Sequence, residues 1–431
     1  MKQIRLAIIL LVTVSIAFCG CDDFFEKTGS GDTINEQRFF SDESAYRQAM
    51  TDCYILLRDT ALYGGTLTLT LLEPAAGTLE PFDVATHDAS LGNMSSEAVR
   101  QRLQNTREKA LQVITACNHL IDAATERQLL STEVRMAVGE AYALRAALRF
   151  DLYRLSLLTA ADTVGISSDL SRAATLLRDS DPLVTATSQT TVAVGRQDRR
   201  LRTHALNWYA VKALQSRVAL WQHRYADALS AADSVFAPMR TLAERSRVYY
   251  YVQPGKYGAD YSFSREYVFA IATLPTGFPQ LSDCLFKEKN VLTTDSLPSL
   301  YADKGDIRYR AWFRSDSNGV GYVMSRKFGS ETLLSGYVVT ASGSETLLPA
   351  SIPYIKIGEV ALIAAEALNE SGHSEEALGW IEELEQSKDC ASYVAAVREA
   401  GVSHDRVRRL IADERRRELF GEGQLYYYSR R

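Results

Sequence analysis

Residues 365–377, AEALNESGHSEEA, set Ala365, Leu368, Gly372 and Ala377 at the same spacing as Ser216, Ala219, His223 and Ala228 in SRVALWQHRYADA, residues 216–228. Each stretch places a small residue in one helical segment, a turn residue seven positions on, and an alanine early in the next segment. Small side chains at a crossing let antiparallel helices approach, while Leu378, Ile381 and Leu384 fill the neighbouring groove. The copies are 149 residues apart, so the pattern is one of helical pairs separated by insertions.

This spacing is that of tetratricopeptide repeats. Working outward, Ser41 is expected to cap a helix whose Tyr46, Ala49, Met50, Cys53 and Leu57 share a face. Leu103, Leu111, Ile114, Cys117 and Ile121 form a stripe over 96–124, and Ala137, Ala141, Leu144, Leu148 and Leu152 another over 133–158. Scaffold helices are therefore expected at about 41–61, 96–158, 203–236 and 352–431. Three segments lack sustained periodicity. Residues 62–95 carry Gly64-Gly65, Pro74 and Pro81; 159–202 turn to Ser, Thr, Asp and Ala and read as a long surface excursion; 237–351 are aromatic and glycine-punctuated, with strand-like runs at 267–271 and 322–328. The expected fold is mainly α: interrupted tetratricopeptide-like pairs forming one domain over 41–431, with a loop-rich, mixed α/β insertion face.

The 431 residues are 46% hydrophobic and 23% charged, which excludes a disordered or collagen-like chain. A net charge of -5, with both signs mixed, excludes the electrostatic footprint of a nucleic-acid binder. At the start, Lys2 and Arg5 precede an uncharged run from Leu6 to Phe18, too short to span a bilayer and matching a signal peptide over 1–20. Cys21, with Gly20 before it, is the acylation candidate of a sequence that resembles a bacterial lipobox, and 21–40 read as a tether. The other cysteines of the body, Cys53, Cys117, Cys284 and Cys390, have no metal-binding spacing, so no metal or other cofactor is expected.

No sequence support exists for catalysis. HExxH, GxSxG and a P-loop are missing, and Gly319-Val320-Gly321 lacks the third glycine of a dinucleotide fingerprint. Glu359 and Glu366 share a helix face about 10.5 Å apart along the axis, and in so apolar a helix they are expected to pair with arginines such as those of 415–417. The run Arg406, Arg408, Arg409, Arg415, Arg416 and Arg417, interleaved with acids, reads as an ion-paired helix surface. Aromatics in irregular segments are the lead for a ligand surface, because sugars dock their apolar faces on flat rings: Tyr63, Phe82 beside Asp83, Tyr257, Tyr261 and Trp312 are the candidates.

A family pattern covers both ends of the chain. Residues 355–369, IKIGEVALIAAEALN, and 414–423, ERRRELFGEG, followed by Tyr426-Tyr427-Tyr428 and Arg430, resemble the two closing helices of the SusD/RagB family. Cys21-Asp22-Asp23-Phe24-Phe25-Glu26-Lys27 resembles its lipidated start, Ala116-Cys117-Asn118 its "AN" helix, and Gly139-Glu140-Ala141 with Leu144-Arg145-Ala146 its "GEAxxLRA" helix. The resemblance implies a non-enzymatic outer-membrane lipoprotein, acylated by chains such as palmitate at Cys21 and facing the exterior. It would bind an oligosaccharide or peptide and act as a lid on a SusC-like TonB-dependent barrel transporter. The stretch 159–202 departs from the family's usual connection, so a reduced or different ligand surface is expected. A lipid-anchored scaffold for surface-protein assembly and a hydrolase are the alternatives.

Overall fold

A computed structural model describes residues 39–128, 131–159, 163–185, 202–242, 249–252, 262–272, 299–315, 322–323, 327, 336–339, 345–348 and 351–431. The signal segment, Cys21, Tyr257, Tyr261 and Cys284 lie outside them.

The first helix, α1 (Glu43–Leu56), is capped by Asp42, one residue beyond the expected Ser41; its carboxylate accepts the Ser44 amide at 3.1 Å. The 62–95 segment holds two short helices, α2 (Leu72–Ala75) and α3 (Val84–Ser90). Two long helices follow as an antiparallel pair, α4 (Glu97–Glu126) and α5 (Thr132–Arg154). Ser96 and Ser131 cap them, each accepting an amide at 3.3 Å from Val99 and Val134 respectively. Cys53 and Cys117 are buried thiols, in keeping with their apolar faces.

Residues 159–202 are not wholly a surface excursion. They contain α6 (Ile166–Ser180), which lays Ile166, Leu170, Ala173 and Leu177 on α5, and the single turn α7 (Pro182–Thr185). Gly139 permits the approach, since a Cβ there would meet Leu177 Cγ at 2.8 Å. This stripe has helical spacing, but its polar composition obscures it.

The pair α8 (Trp208–Trp221) and α9 (Tyr225–Thr241) comes next. Asn207 caps α8 by accepting the Ala210 amide at 2.9 Å, and its Nδ2 donates to the Val268 carbonyl at 3.2 Å, fastening α8 to the following strand. The insertion contributes β1 (Tyr267–Ala272), α10 (Ile307–Trp312), and the short strands β2 (Arg314–Ser315), β3 (Tyr322–Val323), β4 (Gly336–Val339) and β5 (Glu345–Leu348). Of the strand expected over 322–328, β3 covers Tyr322–Val323, and Lys327, described as well, is not in a strand. The insertion closes on β6 (Ser351–Lys356), which pairs antiparallel with β1 from Tyr267 opposite Lys356 to Ala272 opposite Ser351. The chain then runs through α11 (Ile357–Glu370), α12 (Ser374–Ser387), α13 (Ser392–Glu399), α14 (His404–Glu418) and α15 (Gln424–Tyr428).

The aligned stretches are indeed two equivalent hairpins. His223 and Gly372 both occupy left-handed backbone, at φ 56° and 86°. In each turn the same two bonds recur: His223 and Gly372 amides reach the carbonyls of Leu220 and Asn369, while Arg224 and His373 amides reach those of Ala219 and Leu368. The two pairs pack directly together, with Ala219, Leu220 and Ala228 against Ile363 and Ala367.

Within the arginine run Arg408, Arg415 and Arg417 are ion-paired, and the run is only partly at the surface. Glu414, Arg415, Arg417 and Glu418 are buried. Arg308, fully buried, donates to Glu414 at 2.6 Å and Glu418 at 3.0 Å, and Lys356 pairs with Glu418 and Glu422. Cations from the insertion and β6 thus hold the closing helix. Glu366 does pair with Arg415, and also with Arg431, whereas Glu359 takes its partner from α8, Arg217, rather than from 415–417.

Candidate ligand cleft

The sequence candidates separate when placed on the fold. Tyr63 is buried, its hydroxyl donating to Asp151 Oδ2 at 2.5 Å and its ring set edge-on to Tyr354 at 5.1 Å. Trp312 is wholly buried beneath Lys327, whose ammonium sits 3.9 Å from the ring centroid. Neither offers a ring to a ligand, because the turn that carries Tyr63 and the end of α10 that carries Trp312 both pack into hydrophobic clusters instead of facing solvent. Phe82 is different, at 42% exposed. Its neighbour Asp83 caps α3 through the Thr86 amide at 2.9 Å and pairs with Arg102. Burial raises the Asp83 pKa, but the Thr86 amide and Arg102 outweigh it and hold the carboxyl below its ordinary value. Phe82 and Asp83 are adjacent, and none of the other candidates that are described joins them.

A larger feature lies elsewhere. A cleft of about 780 Å³ opens between the first half of α4, the end of α5, Trp221 at the end of α8, and α15. Trp221 and Tyr153 are half-buried in it, and buried Tyr426 lines it too. Around these rings stand Arg100, Arg107 and Arg430. Behind them, Arg154 is stacked 3.7 Å from the Tyr427 centroid and 5.8 Å from that of Trp221, and it pairs with Asp151. Its Nε, buried, has no hydrogen-bond partner. On a helix of 3.6 residues per turn, Arg102 stands about 160° around α4 from Arg100 and Gln104. The Phe82–Asp83 corner and the cleft therefore lie on opposite sides of α4.

A second cleft, about 570 Å³, lies between α1, α5 and the turn at 202–205. Most of its charges are matched, the exception being Arg58, whose Nε donates to the Ile55 carbonyl at 3.2 Å. Arg202 pairs with Glu140 and Asp181, Arg47 with Glu133, and Tyr54 donates to Glu140 at 2.8 Å. Burial draws the His204 imidazole down to about 4, so it is neutral near pH 7, and it bonds Ser351 Oγ at 2.7 Å.

Trp221 and Tyr153 escaped sequence reading because both sit in regular helices, where an aromatic is normally core. The available signal was position. Each occupies the last or next-to-last residue of its helix, where a side chain overhangs the end of the scaffold. Among the described residues, no cluster of three or more His, Cys, Asp or Glu is arranged to hold a metal ion, and no helix is long and apolar enough to cross a membrane.

Comparison with known proteins converges on one family. Residues 314–431 match the model of the SusD family. Comparison with curated proteins finds no match. Among solved structures, a SusD superfamily protein from Bacteroides thetaiotaomicron VPI-5482 superposes with TM-score 0.65 at 18% identity, over 89% of this chain and 88% of that one. A SusD-like carbohydrate binding protein from Bacteroides vulgatus ATCC 8482 gives TM-score 0.59 at 16% identity, over 89% and 82%. The chain thus resembles the SusD family in sequence over residues 314–431 and shares the fold of these solved structures across nearly its whole length.

Proposed function

We propose that this chain is a non-catalytic, surface-exposed lipoprotein of an outer membrane that captures an oligosaccharide or peptide and delivers it, as a lid, to a TonB-dependent barrel transporter. The observation that carries the reading is the joint match of residues 314–431 to the SusD family and of the whole fold to a SusD-like carbohydrate binding protein. Three features of the chain agree with it. The helical hairpins form a rigid frame, the open cleft beside Trp221 is of a size usual for small-ligand sites, and Cys21 follows a signal-like run with acidic Asp22-Asp23 after it. Two or three acyl chains on Cys21, at about 0.8 kcal/mol per buried methylene, would anchor the body permanently.

The test is purification of the tagged chain from detergent-solubilised membranes of its native host, with calorimetry against a glycan panel. A co-purifying barrel and a bound glycan or peptide support the proposal. Absence of both overturns it in favour of a scaffold, and turnover of a bound glycan overturns the non-catalytic part. Cys21→Ala is expected to move the protein from the membrane fraction to the soluble one; retention at the membrane would contradict the anchor.

A further inference from the structure

The cleft beside Trp221 is unusual for its charge. The chain as a whole is acidic, with 53 Asp and Glu against 48 Lys and Arg, yet no Asp or Glu lines this cleft and four arginines do. Arginines elsewhere in the molecule are typically held by carboxylates, as Arg217, Arg308 and Arg415 are. Of the four in the cleft, buried Arg154 is held in this way, by Asp151, and the other three are held differently. Arg107 donates its Nε to the Leu157 carbonyl at 3.2 Å, and Arg430 lies over the Tyr426 ring at 4.8 Å. Neither has a carboxylate partner among the described residues. Arg100 pairs only with Glu97, an exposed neighbour on its own helix, in a contact of the kind that contributes little. Buried Arg154 behind them has an unpartnered Nε.

Uncompensated guanidinium groups around an open cleft raise the local concentration of anions and bind carboxylate or sulfate in bidentate fashion. Rings on the same walls add a second requirement. Trp221 and Tyr153 present partly open apolar faces, which suit the C–H face of a pyranose and leave its equatorial substituents pointing outward to polar groups such as Gln104. One chemistry meets both requirements.

We propose that this cleft binds an acidic oligosaccharide, with Trp221 and Tyr153 stacking on sugar rings while Arg100, Arg107 and Arg430 pair with its carboxylate or sulfate groups. This deepens the nutrient-binding reading and rests on it. The Phe82–Asp83 corner is then not the principal ligand contact.

The full chain is titrated calorimetrically with oligogalacturonate, a chondroitin sulfate oligosaccharide, a neutral maltooligosaccharide and an acidic peptide of matched charge. One or both acidic glycans are expected to bind, and which one binds distinguishes carboxylate from sulfate. Arg107→Gln, Arg430→Gln and Trp221→Ala should each weaken binding about tenfold, whereas Phe82→Ala should not, and affinity should fall between low and physiological salt. All three altered residues line an open cleft, and a melting curve within a few degrees of the parent's shows that each variant is folded. Preferential binding of the neutral glycan, or acidic-glycan affinity unchanged in Arg107→Gln and Trp221→Ala, overturns the site and leaves the nutrient-binding reading standing. Preference for the peptide overturns the saccharide class alone. If nothing binds and no barrel co-purifies, both readings fall.

Discussion

Arg217 and Glu359, 142 residues apart in sequence, form a two-pronged ion pair between the hairpins α8/α9 and α11/α12. Nε donates to Oε1 at 2.8 Å and Nη2 to Oε2 at 2.7 Å, with both side chains essentially dry. The same Arg217 Nη2 reaches the Tyr354 carbonyl on β6, and Tyr428 donates to Glu359 Oε1. One pair thus gathers both repeats, the strand that closes the insertion, and the last helix. Glu359→Gln keeps the shape but leaves a buried cation uncompensated, which costs about 3–5 kcal/mol. Arg217→Met combined with Glu359→Leu should recover most of that loss. Urea midpoints measure both; a single variant within about 1 kcal/mol of the parent would mean water reaches the pair.

His223 stands where the second hairpin has Gly372, in left-handed backbone that costs a residue with a Cβ about 1–2 kcal/mol. The side chain is exposed and makes one local contact, Nδ1 to the Tyr225 hydroxyl at 3.0 Å. Glycine relieves the strain but adds about 0.5–1 kcal/mol of unfolded-chain entropy. His223→Gly should therefore stabilise the protein slightly, by about 0.5 kcal/mol, as read from thermal or urea unfolding. A destabilised variant would show that the Tyr225 contact outweighs the strain.

Glu385 makes stability depend on pH. The residue is buried, near Glu414, with one oxygen accepting the Val394 amide at 3.2 Å and the other unpartnered. Burial, reinforced by Glu414, lifts its pKa to about 8. A carboxyl raised in this way favours folding fully below its unfolded value, near 4.5, and loses that contribution as pH rises toward 8. At pH 7 the loss amounts to roughly 3 kcal/mol on the scale of 1.36 kcal/mol per pH unit. Glu385→Gln, which mimics the neutral acid, should raise stability near pH 7 and change little near pH 4.5. Equal effects at the two pH values would show that Glu385 is ionised in the folded protein.

These cases also show where the sequence was legible. The hairpins could be read from Ala365 to Ala377 because close helix crossing restricts side-chain size at fixed intervals, and periodic restriction survives in a single sequence. Closing helix α14 could be read as ion-paired, but not as interior. Its partners Arg308 and Lys356 come from the insertion and from β6, and no local period links them to Glu414 or Glu418. The α6 stripe was hidden by serines and threonines on its outer face. Ligand residues were hardest: Tyr63 and Trp312 stood out because irregular sequence suggests surface, while Trp221 drew no reading because helices usually hide tryptophan. Exposure depends on what packs over a residue, and here that cover comes from distant parts of the chain.

Gly423 and Gly372 allow the same argument to be tested within one molecule. Both have positive φ, 73° and 86°, so both incur backbone strain when replaced by alanine. Their surroundings differ. A Cβ on Gly372 meets nothing within 4 Å, whereas one on Gly423 would fall 2.1 Å from the Leu67 carbonyl oxygen, which belongs to backbone and cannot rotate away. The Gly423 amide also donates to buried Glu73 at 2.7 Å, joining the closing motif to α2. Burial raises the Glu73 pKa, so displacing this donor would leave a dry carboxyl short of a partner. Gly372→Ala should cost about 1 kcal/mol. Gly423→Ala should cost several times more, about 3–5 kcal/mol, because strain, overlap and a lost buried hydrogen bond act together. Chemical denaturation of the two variants side by side measures the difference, and equal costs would mean that the motif glycine is needed only for its backbone angle and not for the fit between the two ends of the chain.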